Sequence, residues 1–169
     1  AEVWVLDPLR TETARLATHH LAPRPGTDHA VLSFLIRELL RHGADEQVLA
    51  DQTTGLDELA RAVEPFTLGH AADLAGLTED ELTALLASVR AAGPVAIHTG
   101  TGVTMQAEHG NVTAWLAWVL MILTGALNRP GGVWFHPGFN LQFDSFELPV
   151  LDPDMIFGEE GAQAALLEA

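Results

Sequence analysis

The residues with the most specific chemistry stand where an apolar run gives way to a helix. Asp7 follows the apolar run 2–6, and a carboxylate there can accept hydrogen bonds from ribose hydroxyls or from the donor edge of a purine. Capping of the following helix is the alternative role, worth about 1 kcal/mol. Arg10 and Thr11 come next, where a guanidinium and the exposed amides of a first helical turn could hold a phosphate. A solvated surface charge explains Arg10 equally well.

A second carboxylate stands in the tight turn Pro25–Asp28. Gly26 and Thr27 lead directly into Asp28, which opens an apolar helix. Guanine presents its N1–H and its exocyclic amine side by side, and a carboxylate can accept both in two parallel hydrogen bonds. An acidic residue at a helix N-terminus is also stabilised by the helix dipole, so capping is the alternative role for Asp28.

A glycine-rich segment, residues 99–104, is the third candidate. Gly100 and Gly102 would let a ligand approach the backbone closely, with the hydroxyl of Thr101 nearby. Met105 stands where a GxGxxG dinucleotide fingerprint would require glycine. The segment therefore favours a ligand-binding turn without identifying the ligand.

Neither a metal site nor a catalytic residue is predicted. His19 and His20 are adjacent in an extended stretch, so their side chains point to opposite faces, and the sequence has no HExxH spacing. None of the serines stands in a GxSxG motif. Trp115 and Trp118, at positions i and i+3 of an apolar helix, are predicted to lie in the core.

Composition excludes several classes of protein. The 169 residues are 48% apolar, which is enough for one domain with a hydrophobic core. Without cysteine, the chain itself can form no disulfide, thiolate zinc site, Cys-ligated iron–sulfur cluster or Cys nucleophile. Its eight basic residues are all arginine, and against 23 acidic residues they leave a net charge of −15. That balance argues against a nucleic-acid partner, because binding to phosphates needs clustered basic residues.

No targeting segment is visible, and no membrane span is predicted. The longest apolar run, Ala114–Leu123, falls short of the ~20 residues that cross a bilayer and is predicted to be a buried helix. The sequence leaves the compartment undetermined, with the cytoplasm favoured over export.

The elements that must position the candidate residues alternate between strand and helix. Mainly apolar runs at Glu2–Leu6 and Pro94–His98 are typical of buried strands in a parallel sheet. Caps, breakers and apolar spacing predict the other elements. These are helices at Pro8–Ala17, Asp28–His42 and His109–Leu127, an extended stretch at His20–Pro25, a short strand at Val133–Phe135, and short helices at Ala44–Ala50, Leu56–Val63, Leu68–Ala75 and Thr78–Ala91.

This order predicts an α/β fold, a Rossmann-like open parallel sheet flanked by helices, with a small helical insertion over residues 44–92. Ligands of such sheets lie outside the carboxyl ends of the strands, where the three polar segments would converge. We expect the α/β domain to cover residues 1–138. Residues 139–169, whose acids have no basic residue among them, are expected to form an acidic arm or linker.

Taken together, the ordered motifs resemble the molybdopterin oxidoreductases of the dimethyl sulfoxide reductase superfamily, a group that includes formate dehydrogenases and nitrate reductases. The resemblance covers about residues 2–138. It rests on four segments in the family's order and spacing, which are residues 6–14 (LDPLRTETA), 25–28 (PGTD), 99–106 (TGTGVTMQ) and 123–132 (LTGALNRPGG).

The resemblance implies that this stretch helps to bind bis-molybdopterin guanine dinucleotide, with Asp28 at the guanine edge. Relatives place a glutamine four residues after the first contact residue of the glycine-rich turn. That position falls on Met105, and Gln106 lies one residue beyond, so both stay candidates. The implied cofactor-binding residues are Asp7, Arg10, Thr11, Gly26, Thr27, Asp28, Gly100, Thr101, Gly102, Met105 and Gln106.

The resemblance also implies that much of the machinery lies on other segments. Family members carry the molybdenum ligand, and often a Cys-rich iron–sulfur segment, upstream of this stretch, and a further cofactor-binding domain downstream. We therefore expect a partial domain of a larger enzyme, inactive alone, with the remainder of that enzyme and the dinucleotide cofactor as partners. The alternative is a free-standing small α/β interaction domain with an acidic C-terminal arm, in which the glycine turns are only structural. Substrate and oligomeric state are left open.

Overall fold

The computed structural model describes residues 2–130, 132 and 133. The predicted acidic arm lies outside these residues, as does most of the strand predicted at Val133–Phe135, so the proposed division at residue 138 stays a prediction. The elements in chain order are β1 (Trp4–Leu6), α1 (Glu12–Leu16), β2 (His19–Leu21), α2 (Asp28–Arg41), α3 (Glu46–Gln52), α4 (Leu56–Val63), α5 (Leu68–Ala75), α6 (Glu79–Ala92), α7 (Thr101–Thr104) and α8 (Gly110–Leu123).

The strands β1 and β2 form a two-stranded parallel sheet, with Leu6 paired to Leu21 at its carboxyl end. The strand predicted before Asp7 is confirmed, but the predicted helix start at Pro8 is wrong. Asp7 Oδ1 accepts from Leu9 N at 2.8 Å and closes a turn, while the cap of α1 is Thr11, whose Oγ1 accepts from Ala14 N at 3.3 Å. Asp7 is therefore not an N-cap.

The strand predicted at Pro94–His98 is also wrong, because within the described residues this run has no neighbouring strand. Val95 N donates to Thr124 Oγ1 at 3.3 Å, and Ile97 N donates to Met121 Sδ at 3.4 Å. Its amides are thus directed to α8 rather than to a sheet ladder. The observed architecture is mixed and mainly helical around a small parallel sheet, so the wider open sheet is not seen in this part of the chain.

The core forms around α2, which packs against α8, α5, α4 and α6. Its apolar spacing predicted a helix over nearly the same residues, and Val31 and Ile36 are 0% exposed. From the other side, Leu120 and Leu123 of α8 are also buried. The N-terminus of α2, which carries Asp28, is therefore fixed by a fully packed helix.

The short helices are confirmed, with small shifts that side-chain caps explain. The bounds of α4 and α5 are those predicted. Thr78 caps α6 in a capping box with Glu81, so the helix begins one residue later than predicted. Asp45 Oδ1 accepts from Val48 N at 3.1 Å, which starts α3 at Glu46. At the end of α8, Gly125 takes a left-handed φ of 66° and stops the helix before the predicted Leu127.

The predicted burial of the two tryptophans of α8 is wrong. Trp115 is 54% exposed and Trp118 is 43% exposed. Because α8 is apolar on most sides, its periodicity does not indicate which face packs against α2. The buried face carries Leu116 and Leu120 rather than the two tryptophans. No helix among the described residues is long and apolar enough to span a membrane.

Candidate functional site

Asp7 lies at the carboxyl end of the small sheet, directly after β1, and its backbone is hydrogen-bonded to β2. Its N–H donates to Leu21 O at 3.1 Å, and its carbonyl accepts from His20 Nε2 at 2.8 Å. The side chain is half-buried, and one carboxylate oxygen accepts from Leu9 N. This bond orients the carboxylate.

The turn that leads to Asp28 is anchored at both sides. Gly26 has a left-handed φ of 81°, and Thr27 Oγ1 donates to Arg24 O at 2.7 Å. Arg24 in turn donates from its N–H to Ala75 O at 2.8 Å and from Nη1 to Asp73 O at 2.6 Å. The end of α5 therefore fixes the turn, and the hydroxyl of Thr27 is directed inward to the turn itself.

Asp28 is the first residue of α2 and is half-buried. Burial is the main cause that raises the pKa of its carboxyl group, and the negative charge of Asp7 raises it further. The backbone N–H of Asp28 and the neighbouring His29 act in the opposite direction. Asp7 is thus close enough for its charge to act on Asp28, while the binding of one ligand by both carboxylates stays a prediction.

Gln106, rather than Met105, lies at the glycine turn. Its Oε1 accepts from His109 N at 2.8 Å, and its Nε2 covers Gly26 so closely that a Cβ on Gly26 would collide with it. Met105 is 82% exposed. Which of the two contacts a cofactor stays a prediction, but only Gln106 is placed against the Gly26 turn.

Two histidines that the sequence analysis did not select complete this region. The rings of His29 and His109 lie 4.2 Å apart between centroids, and His29 Nδ1 is 3.1 Å from Gly26 O, to which it donates. Burial lowers the pKa of His29, and the proximity of His109 lowers it further, against raising effects of Gly26 O and Asp28. The available sequence signal was the position of His29 directly after Asp28 and of His109 three residues after Gln106.

The remaining predicted residues fall at two places. In the loop between β1 and α1, Arg10 is exposed, and Thr11 uses its hydroxyl to cap α1. The predicted glycine-rich turn is instead the short helix α7 with its cap, where Gly100, Thr101 and Gly102 are exposed. An added Cβ at Gly100 or Gly102 would meet no atom within 4 Å, so packing among the described residues does not require these glycines.

The corner between α7 and α8 sets the position of Gln106. A Cβ on Gly110 would lie 2.6 Å from Val103 O and 2.9 Å from Thr104 O, so the two helices approach as only glycine permits. Gly110 N also donates to Gln106 O at 3.1 Å. Across the described part of the chain, no group of three or more His, Asp or Glu side chains could hold a metal ion.

Comparisons with known proteins agree on one group of enzymes. The chain is 31% identical to formate dehydrogenase H of Escherichia coli over 83% of its own length and 19% of that enzyme. It is 28% identical to a protein of Staphylococcus aureus (strain USA300) assigned as a formate dehydrogenase, over 96% of this chain and 17% of the relative. The chain thus spans less than a fifth of the length of these relatives.

A solved structure supports the fold. Acetylene hydratase from Pelobacter acetylenicus superposes with a TM-score of 0.69 and 24% identity, over 73% of this chain and 17% of that enzyme. No protein-family profile matches the sequence.

Proposed function

Because the chain is related to the molybdopterin oxidoreductases of the dimethyl sulfoxide reductase superfamily, we propose that it helps to bind the guanosine part of bis-molybdopterin guanine dinucleotide within a molybdenum-dependent oxidoreductase. The observation that carries this proposal is the half-buried carboxylate of Asp28 at the N-terminus of α2, whose pKa is raised by burial and by the charge of Asp7. When bound, the cofactor supplies the redox chemistry, and this chain holds its nucleotide end.

Asp28 is suited to the guanine edge. Its carboxylate is partly removed from water and close to a second negative charge, which disfavours the ionised form. Two N–H donors, the N1–H and the exocyclic amine of guanine, would stabilise that form through charge-assisted hydrogen bonds. Adenine offers no such pair of donors at the equivalent edge. The same feature that raises the pKa of Asp28 therefore favours a guanine ligand.

The surrounding residues fit the rest of a nucleotide. Asp7 has a carboxylate oxygen free of the Leu9 contact, which suits a ribose hydroxyl. Arg10 is exposed near the same end of β1 and could pair with a phosphate. A Cβ at Gly100 or Gly102 would meet no atom within 4 Å, so there is open space next to these residues. A ligand could use that space to approach the backbone closely.

The isolated chain is proposed to be inactive. The described residues hold no candidate metal centre, and the chain has no cysteine. In this proposal the molybdenum ligand lies outside the chain, so Asp28 and its neighbours bind and orient the cofactor but carry out no redox step.

The proposal is tested by titrating the ¹⁵N-labelled chain with GDP, inosine diphosphate and ADP and following the amide signals of residues 26–30. Inosine lacks the exocyclic amine and so loses one charge-assisted hydrogen bond, worth about 1.5–3 kcal/mol, or roughly tenfold or more in affinity. We expect saturable shifts with GDP, weaker binding of inosine diphosphate and none of ADP at the same concentration. Equal responses to GDP and ADP would overturn the guanine assignment, and no response to GDP would favour the interaction-domain alternative.

A matched pair of variants locates the binding. Asp28→Asn removes the carboxylate from the first turn of α2, and Asp57→Asn makes the same change in the exposed first turn of α4. Only Asp28→Asn should weaken GDP binding. An equal loss in both variants would indicate a nonspecific effect of charge.

A further inference from the structure

We propose that Gly26, Gln106, His109 and His29 form a closed ring of contacts that positions Asp28, and that Gln106 acts on the nucleotide through this ring rather than by touching it. The inference rests on the proposed function for its ligand. It assigns a positioning role to Gln106 and brings two histidines, absent from the sequence-based site, into the nucleotide site.

The first half of the ring joins Gln106 to α8. Gln106 Oε1 accepts from the backbone N–H of His109 at 2.8 Å. This bond satisfies an amide at the start of α8, where the side chain of His109 itself makes no cap. With Oε1 fixed in this bond, the Nε2 end of the amide lies over Gly26. The orientation of the side chain is therefore set by α8.

The second half returns from α8 to the glycine turn. The rings of His109 and His29 pack at 4.2 Å with an interplanar angle of 49°, and the edge of Phe66 packs on His29 at 6.2 Å. His29 Nδ1–H donates to Gly26 O at 3.1 Å. Gly26 is thus covered by Gln106 and bound at its carbonyl by His29, and the ring closes.

Asp28 lies between two members of the ring. Gly26 precedes it by two residues and His29 follows it directly. Since both are tied to the start of α8, the direction of the Asp28 carboxylate depends on Gln106 although the two residues are far apart in sequence. Two parallel hydrogen bonds to guanine are sensitive to such orientation, so a loosened turn should lose selectivity before it loses all binding.

Protonation of His29 is expected to open the ring. A positive charge on His29 is disfavoured by its burial and by His109, whose ring lies 4.2 Å away. Among the described residues, the charged or titratable groups around the pair are Asp28 on α2, Glu108 beside His109, and His70 of α5 behind Phe66, while Asp7 acts on Asp28. Burial and His109 lower the pKa of His29, so the neutral ring is complete at pH 7.5 and is lost as the pH falls.

The test compares Gln106→Met, which keeps the length of the side chain but removes the acceptor, with Gln47→Met, the same change at an exposed residue of α3. The readout is the ratio of GDP to inosine diphosphate affinity at pH 7.5. We expect Gln106→Met to weaken GDP binding at least fivefold and to bring the ratio close to one, and Gln47→Met to change neither. If both affinities fall by one factor and the ratio persists, Gln106 touches the ligand directly and the positioning role is wrong.

A second variant and a ligand-free measurement keep the two proposals separate. His109→Phe retains a ring against His29 but removes the imidazole that lowers the pKa of His29, so the loss of GDP affinity on acidification from pH 7.5 to 5.5 should begin at a higher pH. An unchanged dependence would contradict the ring. Without ligand, Gln106→Met should shift the amide signals of Gly26 and His29 while thermal unfolding remains cooperative. If those signals do not move, the ring is wrong whether or not GDP binds; if they move but no chain binds GDP, only the nucleotide function fails.

Discussion

Asp7 and Asp28, which come from different elements, interact through their charges. Burial is the first cause that raises the pKa of Asp28, and the negative charge of Asp7 raises it further. Such an arrangement is unfavourable in the absence of a ligand, because a desolvated carboxylate beside a like charge is harder to ionise. Carboxyl groups with perturbed pKa values cluster at binding and catalytic sites.

Replacement of Asp28 by asparagine should therefore separate stability from binding. A folded-state pKa above the unfolded value means that ionisation of Asp28 costs stability above that pKa, and that the cost disappears as the pH falls. Asp28→Asn should be more stable than the wild type at pH 7, and the difference should shrink as the pH falls through the raised folded pKa and vanish below the ordinary value of 3.8. Its GDP affinity should fall roughly tenfold or more, since one of two charge-assisted bonds is lost.

The measurement is chemical unfolding at several pH values, set beside the GDP titration. Asp57→Asn serves as control, because this exposed acid lies in the first turn of α4. A destabilised Asp28→Asn chain at pH 7 would mean that the helix-dipole interaction outweighs the burial of the carboxylate.

Substitution of Gly26 by alanine should cost more than backbone strain alone. Gly26 and Gly55 share a φ of 81°, a region that costs an L-residue about 1–2 kcal/mol. At Gly55 an added Cβ meets only Glu58 Oε2 at 3.9 Å, whereas at Gly26 it collides with Gln106. Gly26→Ala must therefore also displace Gln106 and weaken its bond to His109 N.

The two alanine variants are compared by thermal unfolding and GDP titration. Gly55→Ala should lose only the strain energy and keep its GDP affinity, while Gly26→Ala should lose both stability and affinity. Equal losses of stability, with GDP binding intact in both, would show that contact between Gly26 and Gln106 has no role at the site.

The sequence predicted those features that depend on residues close together in the chain. The apolar spacing of α2, the capping box of Thr78 and Glu81, and the glycine turn before Asp28 each lie within a short stretch, and the structure contains all three. A common ligand site for Asp7 and Asp28 was predicted from the carboxyl ends of parallel strands and stays a prediction.

Features that depend on distant partners could not be predicted in the same way. Residues 94–98 are as apolar as a buried strand, but a strand needs a neighbouring strand, and here the amides meet Thr124 and Met121 instead. The contact of Gln106 with Gly26 and the His29–His109 pair join residues that only the packing of α8 on α2 brings together. Neither composition nor periodicity indicates such long-range contacts.

The corner between α7 and α8 should be intolerant of a single methyl group. Gly110→Ala would place Cβ 2.6 Å from Val103 O and 2.9 Å from Thr104 O, and backbone atoms cannot move aside as a flexible side chain can. We expect a loss of about 1–3 kcal/mol in the free energy of unfolding. Gly102→Ala, in the open part of α7, should instead gain about 0.5–1 kcal/mol. Denaturant unfolding of both variants checks the contrast, which a neutral Gly110→Ala would contradict.

The cap of α1 gives a last contrast between structural and binding residues. Thr11 Oγ1 accepts from Ala14 N, so Thr11→Ala should lose about 1 kcal/mol of stability. Asp7 only closes the turn to the exposed Leu9, whose N–H water can satisfy, so Asp7→Ala should cost less stability than Thr11→Ala but should weaken GDP binding through loss of the ribose acceptor. Chemical unfolding and GDP titration of both variants separate the roles. If Asp7→Ala is the more destabilising change and leaves GDP affinity intact, Asp7 serves the fold rather than the nucleotide.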